Sequence, residues 1–231
     1  GVEEPSSQRV TTNLMIYEEG RLPARYDRSI LTANALAGQV LASRKVPIGP
    51  SLHSEPVDTM LNSGDRWVRP VYLSPGPDGA VYVADWYDQQ VNHFRNSEGR
   101  ISSVDGRIYR IRSSDSRTGV SVDLGRLSSD ELVGLLSDER RWYRETARRL
   151  LKEREDRSTF PKLIELFRNE NGQPALEALW VLNLLDGFDA RLRLEALEHS
   201  NPWVRVWAVR LIGDYRKATN RELSRMIAMA A

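Results

Sequence analysis

The sequence predicts a mixed, multidomain chain: an all-β portion up to about residue 113, then an all-α solenoid of helical hairpins. Three observations predict it. Short β-branched and aromatic runs bounded by glycine and proline fill the first half. From Leu127 onward apolar residues recur at a period near 3.6. Within that second half one helix pattern returns after 31 and then 30 residues, on the matched alanines Ala147, Ala178 and Ala208.

Residues 11–17 form a short extended candidate, followed by a turn containing glycine and proline. Residues 29–34 and 39–43 are expected to pair across the turn 35–38. Pro47, Pro50 and Pro56 oppose regular structure, so residues 47–66 are expected to be a polar loop. The firmest hairpin joins residues 71–74 to 80–84, because Pro77 fixes φ in the turn and Gly79 accepts a positive one. Residues 106–111 follow as an alternating strand. Strands this short, joined by turns, suggest a sandwich, a barrel or a propeller. Two loops leave the ends of these strands and carry polar groups on a rigid base: Trp67-Val68-Arg69-Pro70 and Ala84-Asp85-Trp86-Tyr87-Asp88.

In the second half, Ser128 is placed to cap a helix, with Glu131 as its capping-box partner and Leu132, Leu135 and Leu136 as the buried stripe. The helix of residues 142–151 recurs at 203–212: Trp142 matches Trp203, Arg144 matches Arg205, and Leu150-Leu151 matches Leu211-Ile212. A weaker copy fits Ala178, Val181 and Leu182. Each copy has a preceding partner helix, at residues 131–136, 160–167 and 192–197, which predicts three stacked hairpins. Residues 220–227 look like the first helix of a fourth, so the array is expected to continue beyond the chain. Trp142, Trp180, Trp203 and Trp207 are expected to be packing residues. The arginines 141, 144, 148, 149 and 154 are interrupted by Glu145, Glu153, Glu155 and Asp156, which predicts an ion-paired face.

The totals exclude several function classes. With 231 residues, 33 Lys plus Arg against 32 Asp plus Glu leave a formal charge of +1, which gives no support to capture of nucleic acid or an anionic membrane. Splitting the chain at residue 113 leaves both parts equally balanced. The sequence contains no cysteine, so disulfides, thiolate metal sites and a Cys-x-x-Cys-His haem attachment are excluded within it. No apolar run reaches membrane-spanning length, and Gly1-Val2-Glu3-Glu4 does not begin a signal peptide. Gly76-Pro77-Asp78-Gly79 lacks the spacing and the lysine of a phosphate loop.

Residues 67–111 resemble the end of the propeller in the bacterial membrane-bound dehydrogenase family familiar from planctomycetes. The residues that carry the resemblance are Arg69-Pro70-Val71, the run from Gly76 through Pro77-Asp78-Gly79 to Ala84-Asp85-Trp86-Tyr87, Asn92-His93, and Gly106-Arg107-Ile108-Tyr109-Arg110. Gly20-Arg21-Leu22-Pro23-Ala24-Arg25-Tyr26 resembles a preceding blade, and the helices resemble HEAT-like repeats. The resemblance implies β-propeller C-terminal blades over residues 1–113, a linker over 114–127, and an all-α HEAT-like α-solenoid over 128–231. It also implies an extracytoplasmic parent that supplies upstream blades and, in many relatives, a cytochrome-c-like domain carrying haem c. Such a parent is a quinoprotein-like dehydrogenase of sugars or alcohols, dependent on pyrroloquinoline quinone (PQQ) and calcium, and the isolated chain has no complete activity.

Residue chemistry then nominates three positions, none of them carried over from a family motif. Arg69 has the fork to pair with a quinone carboxylate, Asp85 the hard oxygen donors for calcium, and His93 a pKa suited to acid–base work. The alternative reading is a nonenzymatic propeller and HEAT-repeat scaffold that binds protein or carbohydrate, with a protein partner docked on the helices.

Overall fold

The computed structural model describes residues 12–49, 51–89, 104–114, 123–216 and 218–230. The chain divides into two units, Gly1–Val122 and Asp123–Ala231. In the first, seven strands form two open antiparallel sheets. One holds β1 (Asn13–Ile16), β2 (Ile30–Asn34), β3 (Gln39–Ile48) and β4 (Ser51–Asn62) in sequence order. The other holds β5 (Pro70–Pro75), β6 (Val81–Asp85) and β7 (Ile108–Ile111).

The alternation of the short strands explains their faces. Val81 and Val83 of β6 are buried with Leu73 of β5, and they share a core with Met15, Tyr17, Leu31, Val40 and Ala42 of the other sheet. The Tyr17 hydroxyl fixes that joint. It donates to the Gly79 carbonyl (2.7 Å) and accepts from the N–H groups of Arg21 (3.0 Å) and Leu22 (2.9 Å), so a fully buried polar atom is completely satisfied. Burial pushes the Tyr17 phenol above its ordinary pKa. Asn13 adds a second tie, its Oδ1 accepting from the Leu73 N–H at 2.8 Å. Gly79 turns at φ +73°, where a Cβ would run into the Arg21 side chain, so the turn requires glycine on two counts.

Two expectations are corrected here. Among the described residues neither sheet closes on itself, and four strands plus three do not ring an axis, so the propeller expectation is corrected to two open sheets. Residues 47–66 are not a loop either: most of them belong to β3 and β4, a long hairpin that runs past the end of β2 as a two-stranded ribbon. Pro47 lies in that ribbon beyond the reach of β2. Pro56 pairs with Ser43 where the register shifts between Ala42 and Ser43. Both are positions where a missing N–H is tolerated.

The second unit contains α1 (Ser129–Gly134), α2 (Arg141–Arg154), α3 (Phe160–Asn169), α4 (Gln173–Leu184), α5 (Ala190–Leu197), α6 (Pro202–Asp214) and α7 (Asn220–Ala230). The capping box forms as the sequence predicts: Ser128 Oγ accepts from the Glu131 N–H (3.3 Å) and Glu131 Oε2 from the Ser128 N–H (2.7 Å). One continuous apolar core runs from Leu124 to Ile212. Among the charged side chains buried in this unit is Glu177 of α4, only 2% exposed. Arg148 Nη1 donates to it at 2.5 Å, Gln173 Nε2 donates at 2.8 Å, and Arg144 Nε stands 3.4 Å away.

The solenoid expectation is corrected to a bundle of packed helices. The matched arginines do make the same local contact: Arg144 Nη1 donates to the Asp138 and Glu139 carbonyls, and Arg205 Nη1 to those of His199 and Ser200. The matched helices, however, sit in different environments. Trp142 is half-buried with its ring against Tyr143, whereas Trp203 is exposed. The charged α2–α4 contact through Glu177 has no counterpart at α4–α6, where Trp180 meets Trp207 edge-on at 5.0 Å. Like residue types recur; like interfaces do not.

Removing one partner of a buried ion pair leaves the others uncompensated. Glu177→Ala is therefore expected to lower unfolding stability by about 3 kcal/mol or more, read from urea denaturation followed by far-UV circular dichroism. A loss below about 1 kcal/mol, the level of an exposed pair, would show that Glu177 is not the organising charge.

Candidate functional site

The structure brings Arg69 and Asp85 together. Asp85 ends β6 and is buried, and its Oδ1 accepts from the N–H groups of Arg69 (2.7 Å) and Tyr87 (2.9 Å) while Tyr109 donates to Oδ2 at 3.4 Å. The Arg69 guanidinium turns to main-chain carbonyls. Nε donates to Asp88 (2.8 Å), Nη1 to Ala35 and Leu36 (3.0 and 3.2 Å), and Nη2 to Gln89 (3.0 Å). One arginine thus fastens the β2–β3 turn to the segment leaving β6. It also borders an open depression of ≈ 490 Å³ between Leu36, Gly64 and Arg66.

Arg69 commits four of its five guanidinium N–H donors to these carbonyls, and Asp85 keeps Oδ2 with a single long contact to Tyr109. His93 lies outside the described residues. Among the described residues no group of three or more His, Cys, Asp or Glu side chains is placed to hold a metal ion, and no helix is long and apolar enough to cross a membrane.

The basic patch on α2 is ion-paired, as its interleaved carboxylates predict. Arg141 meets Glu145 and Arg149 meets Glu153, each at 2.7 Å, while Arg154 reaches the Leu127 and Gly125 carbonyls.

The sequence reading missed a different surface, at the α6–α7 end of the helical unit. Along α6, Trp203 (65% exposed), Val206 (56%) and Val209 follow one another at helical spacing on the outer face. On α7, Glu222 and Met226 point inward, leaving Leu223 and Ile227 (71%) outside. Helix α5 packs against both α6 and α7. The signal was present in the sequence as Val206 and Val209, two β-branched residues on a helix that the core did not need.

The start of α6 is held by polar contacts. Asn201 caps it, its Oδ1 accepting from the Trp203 N–H at 2.8 Å, and the Asn201 N–H is itself donated to His199 Nδ1 at 3.1 Å. His199 must therefore be unprotonated at Nδ1. Its ring lies against Phe167, and desolvation, helped by Arg205, lowers its pKa from the usual 6.5.

Taken together, fold and site define a two-unit protein in which open antiparallel sheets precede a helical bundle. Residues 4–115, all within the sheet unit, match the family model described as Domain of unknown function (DUF7133). No curated protein and no solved structure matches the chain. The resemblance to the membrane-bound dehydrogenases is corrected: what matches the sheet unit is a family model of unknown function. With no closed propeller and no metal-binding group among the described residues, the quinoprotein, PQQ-dependent reading is overturned as well.

Two outcomes follow. Arg69→Ala strips four carbonyls of a charged donor and is expected to destabilise the sheet unit by roughly 2 kcal/mol or more. An unchanged thermal midpoint would show that water replaces those bonds and that the guanidinium is available to a ligand. For His199, a folded pKa below the unfolded value means that its contribution is whole above about pH 6.5 and declines as the pH falls through that value. The melting temperature of the wild type should drop as the pH falls below about 6.5. His199→Gln, which keeps an acceptor but does not titrate, should flatten that window; an unchanged slope would rule out His199 as its source.

Proposed function

We propose that the helical unit is a protein-docking module and that its binding surface is the α6–α7 end. The observation that carries this reading is the run of exposed large apolar side chains there: Trp203, Val206, Leu223 and Ile227. Single exposed apolar residues are ordinary on a protein surface, but a clustered set is the usual mark of a contact surface. A tryptophan within it is a favoured anchor, because its large ring loses little conformational freedom on being covered. The rest of the bundle does not use these residues. Its core is closed without them, and Val204, Ala208 and Ile212 supply the inward face of α6.

A phage-displayed peptide library panned against the full chain tests the reading. Binders are expected whose attachment falls at least about tenfold, or about 1.4 kcal/mol, when Val206→Glu and Ile227→Glu are introduced together. Both residues are exposed, so the variant should keep the wild-type circular dichroism and melting temperature. Failure to enrich binders, or enrichment of binders indifferent to the double substitution, would overturn the assignment.

A further inference from the structure

We infer that Asn171 is a self-modification site: the main-chain nitrogen of Gly172 attacks its side-chain amide, and the turn that starts α4 loses ammonia and gains a carboxylate. The site is separate from the docking surface and needs no partner but water.

Asn171-Gly172 is the only Asn-Gly pair in the chain. A glycine after asparagine puts no side chain beside the attacking nitrogen, so a five-membered ring closes there with the least steric hindrance. The structure holds the two groups together. The Gly172 N–H donates to Asn171 Oδ1 at 2.9 Å, so the side-chain amide is already folded back onto the nitrogen that must reach its Cγ. Proximity of this kind removes part of the entropic barrier to closure. Among the described residues that N–H has no other acceptor. At Asp78-Gly79 and Asp186-Gly187, by contrast, the glycine N–H is taken by a main-chain carbonyl, that of Gly76 (2.9 Å) and of Leu182 (2.7 Å). Asn171 is exposed, and Gly172 lies at φ +74° with nothing within 4 Å of where a Cβ would stand. Water and base therefore reach the turn, and no packed neighbour resists its tightening.

The bonds balance as follows. Base removes the Gly172 N–H proton, the nitrogen lone pair forms a bond to Asn171 Cγ, and the Cγ–Nδ2 bond breaks as Nδ2 takes up a proton and leaves as ammonia. Water then opens the succinimide. Addition at Cγ restores the main chain and leaves aspartate. Addition at the main-chain carbonyl leaves isoaspartate, whose chain runs through Cγ and is one atom longer. Either product puts a negative charge one residue before Gly172, the N-cap of α4, at the end of the helix dipole that favours it. The isoaspartate also lengthens the chain ahead of Gln173, whose side chain holds buried Glu177 at 2.8 Å, so the change reaches the α2–α4 contact.

The test follows the full chain by mass spectrometry during incubation at about pH 8. Trypsin releases residues 169–191 as one peptide, which carries Asn169 and Asn183 as internal controls. Asn171 is expected to gain about one mass unit and to divide into aspartate and isoaspartate forms. The gain should be at least about tenfold faster than at either control, and faster still at higher pH, because the nitrogen must lose its proton. A synthetic peptide of residues 167–176 gives the rate without the fold. The full chain should react no more than about threefold more slowly than that peptide; a larger lag would show that the fold protects Asn171 and would overturn the inference. Asn171→Gln, whose extra methylene demands a six-membered ring, should abolish the gain. A gain that persists in that variant, or one at Asn171 no faster than at Asn169 and Asn183, would overturn it equally.

Discussion

The helical unit is built around the neutralisation of one carboxylate. Glu177 lies in the core because α4 packs on more than one side, and the cost of burying its charge is offset by Arg148, Arg144 and Gln173. That requirement fixes the facing of two helices. Arg144 and Arg148 are four apart on α2, so one face of α2 must look at α4. Arg144 also holds the carbonyls before α2 through its other end, so the same side chain sets where that helix starts. Trp180, one turn on from Glu177 and with the Arg148 guanidinium over its ring, meets Trp207 of α6.

The sheet unit follows the same logic with uncharged groups. Tyr17 carries a hydroxyl into the core, and the hydroxyl is tolerated only because three backbone groups converge on it. Arg69 does the equivalent at the opposite end of the hairpin, where loops rather than strands need fixing. In both units a polar side chain in a demanding position decides geometry that apolar packing alone leaves loose.

What was legible in the sequence was local. The hairpin about Pro77-Asp78-Gly79, the capping box at Ser128 and Glu131, and the paired charges of α2 depend on residues a few positions apart, and each forms as read. Judgements that depended on distant partners fared worse. Proline argued against strand at 47 and 56 because a residue pattern does not show that β2 begins at Ile30, opposite Ser43, and leaves β3 beyond it unpaired on that side. The recurring Trp, Arg and Ala positions suggested equal repeats, yet matched side chains face different neighbours, and only coordinates show that Trp203 is uncovered while Trp142 is not. Arg69 and Asp85 were read on two separate loops, and the structure brings them together. Their engagement with main-chain groups was invisible, because backbone carbonyls leave no trace in a residue pattern.

The ribbon made by β3 and β4 has a consequence for solubility. β4 is an edge strand of twelve residues, long enough to recruit a strand from another molecule and extend the sheet without limit. Pro56 withholds a donor midway along it, Glu55 and Asp58 set like charges on either side, and the nearby register shifts twist the edge away from flatness. Pro56, which disguises the strand in the sequence, also interrupts its open edge.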